Sequence, residues 1–126
     1  MYLHWGAELE ACPTPQQRAT ARALSDAGAD VIVGSHAHVL LGSGWLGDSY
    51  VNYGLGNFLW YHNHQPTSGV LRLNIRDGEV VSDGWVPTLM EGLGRSLPVR
   101  GEARIEAIAE WRQLGQCADL APRPGA

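Results

Sequence analysis

Apolar residues in this chain come in short bursts separated by glycine and proline, and the spacing within each burst sets the predicted element. Tyr2-Leu3-His4-Trp5 is a compact run stopped by Gly6 and reads as a strand. Thr14-Pro15-Gln16-Gln17 then carries a helix entry. Thr14 can cap, Pro15 suits the first helical position, and Gln17 completes a capping box. Ala19, Ala23, Leu24 and Ala27 supply a modest helical stripe, with Gly28 placed to end it. The β-branched run Val31-Ile32-Val33 is the next strand.

Beyond it the period shortens. Val39-Leu40-Leu41, Trp45-Leu46 and Tyr50-Val51-Asn52-Tyr53 are strand candidates, with Gly47-Asp48 as a hairpin turn. Gly54-Leu55-Gly56-Asn57-Phe58 is too rich in glycine for regular structure and reads as a tight loop. Residues 69–75 and 79–86 form a second hairpin turned at Asp77-Gly78. A C-terminal helical segment is expected over 99–116, its helix proper at 102–114, with Ile105, Ile108, Ala109 and Trp111 on an apolar side. Residues 117–126 are expected to be a disordered tail.

The opening strand, helix and strand have the length of a βαβ unit, whose two strands lie parallel. That topology brings three imidazoles to one edge of the sheet. His4 lies at the exit of the first strand, and His36 and His38 lie at the exit of the second. Ligands of open α/β sheets bind outside the carboxyl ends of the strands. Neutral imidazole is a common ligand for zinc, iron and manganese, so His4, His36 and His38 are the candidate metal ligands. Glu8, on the loop leaving the first strand, is the candidate base, and a carboxylate there can also ligate or orient an imidazole. Asn57, in the glycine-rich loop, can donate or accept toward a ligand. The second histidine pair, His62 and His64, reads as part of an exposed polar loop rather than as a ligand pair.

Composition narrows the classes. The 126 residues suit one domain, 44% of them are hydrophobic, and no apolar run is long enough to span a bilayer. Net charge is −4, and the nine basic residues, all Arg, are scattered singly, which argues against a nucleic-acid footprint. Met1 to Gly6 has neither the basic nor the apolar region of a signal peptide, so the chain expressed alone is expected in the cytoplasm. Cys12 and Cys117 leave both a disulfide and two free thiols open.

His4-Trp5-Gly6-Ala7-Glu8, Pro13 to Gln17, Gly28 to Val39 and Tyr53 to Phe58 resemble, in order and spacing, the CapA family of bacterial capsule and poly-γ-glutamate synthesis proteins. That family is related to the calcineurin-like metallophosphoesterases. The resemblance runs from His4 to about Pro98 and marks 1–98 as a partial domain of this type. It implies an α/β fold, the C-terminal half of a four-layer α/β/β/α sandwich. It also implies that Ser35-His36-Ala37-His38 stands in place of the superfamily's GHxH motif, with His4, His36 and His38 as metal ligands and Glu8 and Asn57 near the same pocket.

The function implied is capsule or poly-γ-glutamate biosynthesis through metal-assisted hydrolysis of a phosphoester or anionic polymer substrate. The cofactor implied is divalent Mn, Fe or Zn, binuclear in a complete domain. The alternatives are a non-catalytic component of the polymer assembly and export system, or an inert fragment. No acidic motif that would complete a binuclear centre follows a strand here, so the family's first half is expected to lie outside this chain. That half, or other capsule-synthesis components, would be its partner. The family places such proteins at the cell envelope.

Overall fold

The computed structural model describes residues 1–61 and 65–122. Strands β1 (Tyr2–Trp5), β2 (Val31–His36), β3 (Ser43–Leu46) and β4 (Ser49–Asn52) form one sheet in the order β1-β2-β4-β3. Strands β5 (Thr67–Arg76), β6 (Glu79–Glu91) and β7 (Arg95–Pro98) form a second, antiparallel sheet. Helix α1 (Pro15–Asp26) joins β1 to β2, and α2 (Gly101–Gln113) follows β7. The result is a mixed α/β fold of two sheets and two helices.

Helix α1 starts where its chemistry allows. The Thr14 hydroxyl accepts from the Gln17 backbone N–H, and the Gln17 side chain accepts from the Thr14 N–H, closing the capping box. Gly28 follows the cap with φ of +91°, a conformation glycine adopts without penalty. Ala21 of α1 is fully buried against Ile32, Val51 and Tyr53 on one face of the first sheet. On the other face, Trp45, Tyr50 and Val31 meet Val80, Leu71 and Leu73 of the second sheet. The buried Tyr50 hydroxyl donates to Asp83 across this seam at 3.0 Å, and burial pushes its phenol well above the ordinary tyrosine range.

β1 and β2 pair in parallel, with His4 opposite Ser35 and Trp5 opposite His36. β2 runs on to His36, three residues beyond the apolar run, because its partner β1 continues the ladder. β4 joins β2 in parallel, and β3 and β4 form the hairpin turned at Gly47-Asp48. The second hairpin turns at Asp77-Gly78 and is longer than its sequence pattern shows, with a bulge between Asn74 and Ile75.

Three expectations are corrected, and a stretch left unassigned by pattern gains a strand. Val39-Leu40-Leu41 is not a strand; Leu40 makes one isolated bridge to Leu55, and Leu41 donates to the Gly54 carbonyl. His38, at φ of +62°, turns the chain just before this run and denies it an extended entry. Strand β7 lies in a stretch that pattern alone leaves unassigned. Helix α2 is not amphipathic in use: Ile105 is 67% exposed and only Trp111 is buried, stacked on Trp85 at 5.4 Å. Lastly, residues 117–122 do not form a loose tail. Cys117 is bonded to Cys12, Ala118 is fully buried, and Ala121 exchanges two backbone hydrogen bonds with Trp45. The remainder of the expected tail, 123–126, lies outside the described residues.

The disulfide settles the alternatives that the two cysteines left open. It ties the loop after β1 to the short 3-10 turn Leu114–Cys117. Arg18 reinforces the tie, pairing with Asp119 and donating to the Cys117 carbonyl.

Candidate functional site

The site sits at the carboxyl ends of β1 and β2. Parallel pairing places His4 and His36 side by side, with ring centroids 4.5 Å apart. Reversal of the backbone at the end of β2 brings His38 back toward them, its ring 6.3 Å from that of His36. His36 and His38 both have positive φ, +103° and +62°. Outside glycine such angles are uncommon and cost on the order of 1–3 kcal/mol each, and they cluster where a fold spends stability on function.

The strained turn is held from two sides. From the β1 loop, the Leu9 N–H donates to the Ala37 carbonyl at 2.8 Å, between the two histidines. This places the exposed Glu8, one residue earlier, beside the histidine turn. From the glycine-rich loop, Asn57 engages His38 twice. Asn57 Nδ2 donates to the His38 carbonyl at 3.2 Å, and Asn57 Oδ1 lies 2.7 Å from His38 Nδ1. Asn57 is itself buried, and the buried Ser68 hydroxyl on β5 donates to its carbonyl. The second sheet thereby braces a residue of the first sheet's site.

His4 is the exposed member. Its Nδ1 lies 3.4 Å from the Ser35 hydroxyl, which donates in turn to the Leu3 carbonyl. His4 also lines a cleft of about 760 Å³ between the end of β1 and the start of α1, together with Trp5, Gly6 and Gln17. The Gln17 side chain is buried there, and its Nε2 has no hydrogen-bond partner among the described residues.

Trp5 anchors the edge from beneath. Its indole N–H reaches across β2 to donate to the Tyr53 carbonyl at 3.0 Å, and its ring stacks on that of Tyr53. A side chain at Gly34 would occupy the same space as the indole nitrogen and the Tyr53 carbonyl oxygen, so the glycine here is a clearance requirement.

The structure thus brings His4, His36 and His38 to one edge, with Asn57 on His38 and Glu8 on the adjoining loop. Among the described residues, no group of three or more His, Cys, Asp or Glu side chains is disposed to hold a metal ion. His62 and His64 lie outside the described residues. Trp60 is the neighbour that sequence reasoning missed: its ring lies 4.9 Å from that of His38. A lone tryptophan after the glycine-rich loop carried no periodic signal. Only the packing of that loop on the second sheet, where the Ser96 hydroxyl donates to the Phe58 carbonyl, brings it to the site.

The part of the chain that carries this edge is matched by a family model. Residues 1–62, just under half of the chain, fit the model of the bacterial capsule synthesis protein family PGA_cap. It is 38% identical over 92 residues to the capsule biosynthesis protein CapA of Bacillus anthracis, covering 71% of this chain and 22% of that protein. It is 49% identical over 57 residues to the PGA biosynthesis protein CapA of Bacillus subtilis (strain 168), covering 45% of this chain and 15% of that protein. The chain thus spans less than a quarter of the length of either relative.

Proposed function

We propose that this chain acts in capsule or poly-γ-glutamate biosynthesis as part of a CapA-type protein, and that its histidine edge supplies part of a divalent-metal site for phosphoester hydrolysis. The observation that carries the reading is the gathering of His4, His36 and His38 at the carboxyl ends of two parallel strands. Likeness to the two CapA proteins supports the polymer context. Imidazoles suit Zn, Fe or Mn, but three that do not converge fit as part of a ligand set, with carboxylate donors coming from elsewhere.

A divalent ion there would polarise a phosphoryl oxygen and favour attack by water. The chain's own residues would do the rest. His36 and His38 present nitrogen donors from a braced turn, and the Leu9–Ala37 hydrogen bond holds the loop of Glu8 against that turn. Glu8, exposed on that loop, would take a proton from the attacking water. The disulfide between Cys12 and Cys117 supports residence in an oxidising compartment such as the cell envelope.

The test is turnover of a chromogenic phosphodiester by the protein loaded with manganese, iron or zinc, beside binding of poly-γ-glutamate. The reading predicts metal-dependent turnover that Glu8→Gln lowers by about 10²–10⁴-fold. Polymer binding without turnover under any metal would replace it with the assembly-component reading.

A further inference from the structure

The two contacts between Asn57 and His38 together fix something that neither fixes alone. An asparagine amide can face either way, and its hydrogen-bond network must decide which. Here the His38 carbonyl can only accept, so the amide nitrogen of Asn57 must face it, at 3.2 Å. The amide oxygen therefore faces His38 Nδ1, at 2.7 Å. An amide oxygen can only accept, so Nδ1 must carry the proton. In the neutral imidazole Nε2 is then the bare lone pair.

The clamp has little freedom to rearrange. Asn57 is 8% exposed, and its carbonyl is held by the fully buried Ser68 hydroxyl on β5. The Trp60 ring stands 4.9 Å from the imidazole and limits its rotation. Turning the ring over would set a C–H against the Asn57 oxygen and leave a buried acceptor unpaired, which disfavours the flip.

We infer that Asn57 is a positioning residue: it locks His38 in the Nδ1–H tautomer and so selects Nε2 as the atom offered to a ligand. This gives Asn57 a role beyond the ligand contact expected from the sequence, since its amide oxygen and nitrogen each already engage His38. The tautomer is a property of the chain alone, whereas its use in holding a metal rests on the function proposed above. Unconstrained neutral imidazole favours the opposite, Nε2–H form, so the lock has a distinct signature. It also removes a penalty from ligand binding, since the ring need not change tautomer or orientation when a ligand arrives.

The experiment is two-bond 1H–15N correlation spectroscopy of the histidine side chains in the metal-free protein, at a pH where His38 is neutral. The wild-type protein should show His38 protonated at Nδ1. Asn57→Leu, similar in size and unable to accept, should shift it toward Nε2–H. Asn57→Asp keeps the acceptor and should retain Nδ1–H, and it serves as the variant readout if Asn57→Leu does not fold. A wild-type His38 protonated at Nε2 would overturn the inference. So would a folded Asn57→Leu that keeps Nδ1–H, or an Asn57→Asp that loses it.

Zinc affinity measured on the same samples separates the two claims. A drop of about 10–100-fold in Asn57→Leu supports the lock acting on a metal ligand. A confirmed tautomer with no zinc binding in any variant leaves the lock standing and removes the metal reading.

Discussion

His36 holds a backbone angle that its own side chain disfavours. At φ of +103° it ends β2 in a region where an L-residue crowds its own carbonyl, and glycine would sit there freely. The fold keeps histidine at this point, between His4 and His38, which marks the imidazole as worth the strain. Comparing two truncations isolates that cost. His36→Gly and His36→Ala both lose the ring, but only the glycine variant relieves the backbone. Urea unfolding should find His36→Gly more stable than His36→Ala by about 1 kcal/mol, and equal stability would show that the turn is unstrained. The spacing of the histidines was legible in the sequence, since it follows from a strand exit and a glycine. Their positive φ values were not, because no residue pattern announces a left-handed histidine. The Asn57 clamp was hidden for a related reason: it joins residues 19 apart through a loop without periodicity.

At the scale of elements, the parts that could be read were those whose chemistry is local. The capping box of α1, the β-branched core of β2 and the two-residue turn at Gly47-Asp48 are each specified by adjacent residues. The parts that misled depend on distant partners. Val39-Leu40-Leu41 has the composition of a strand, yet only Leu41 is buried, and the run is held by single contacts to Gly54 and Leu55 rather than by a ladder. The stripe on α2 predicted a buried face, but the helix meets the second sheet through Trp111 and leaves Ile105 in solvent. The disulfide is the largest such long-range feature, with a sequence separation of 105 between its cysteines. It closes a loop containing β2 to β7 and both helices, and it anchors the β1 loop that carries Glu8 and Leu9. Closing so long a loop removes much freedom from the unfolded chain, and its loss should cost roughly 2–5 kcal/mol. Thermal unfolding with and without reductant, beside Cys12→Ser/Cys117→Ser, measures this. A midpoint that does not move in either case would show that the bond adds nothing to stability.

Over the whole molecule, the site is a joint product of both sheets. The first supplies the histidines from parallel strand ends, and the second supplies Ser68 and Ser96, which hold the loop carrying Asn57, Phe58 and Trp60. The packing of Trp45 and Tyr50 against Val80 holds one sheet over the other. On the proposed reading, His36 and His38 would act together on one ligand, whereas His62 lies 24 positions beyond His38 in the sequence. The most direct measurement is a calorimetric zinc titration of the wild-type protein beside His36→Ala, His38→Ala and His62→Ala. The account predicts binding by the wild-type protein and by His62→Ala, with affinity lowered at least about tenfold in each of the other two variants. Equal losses in all three variants, or no loss in any, would contradict it.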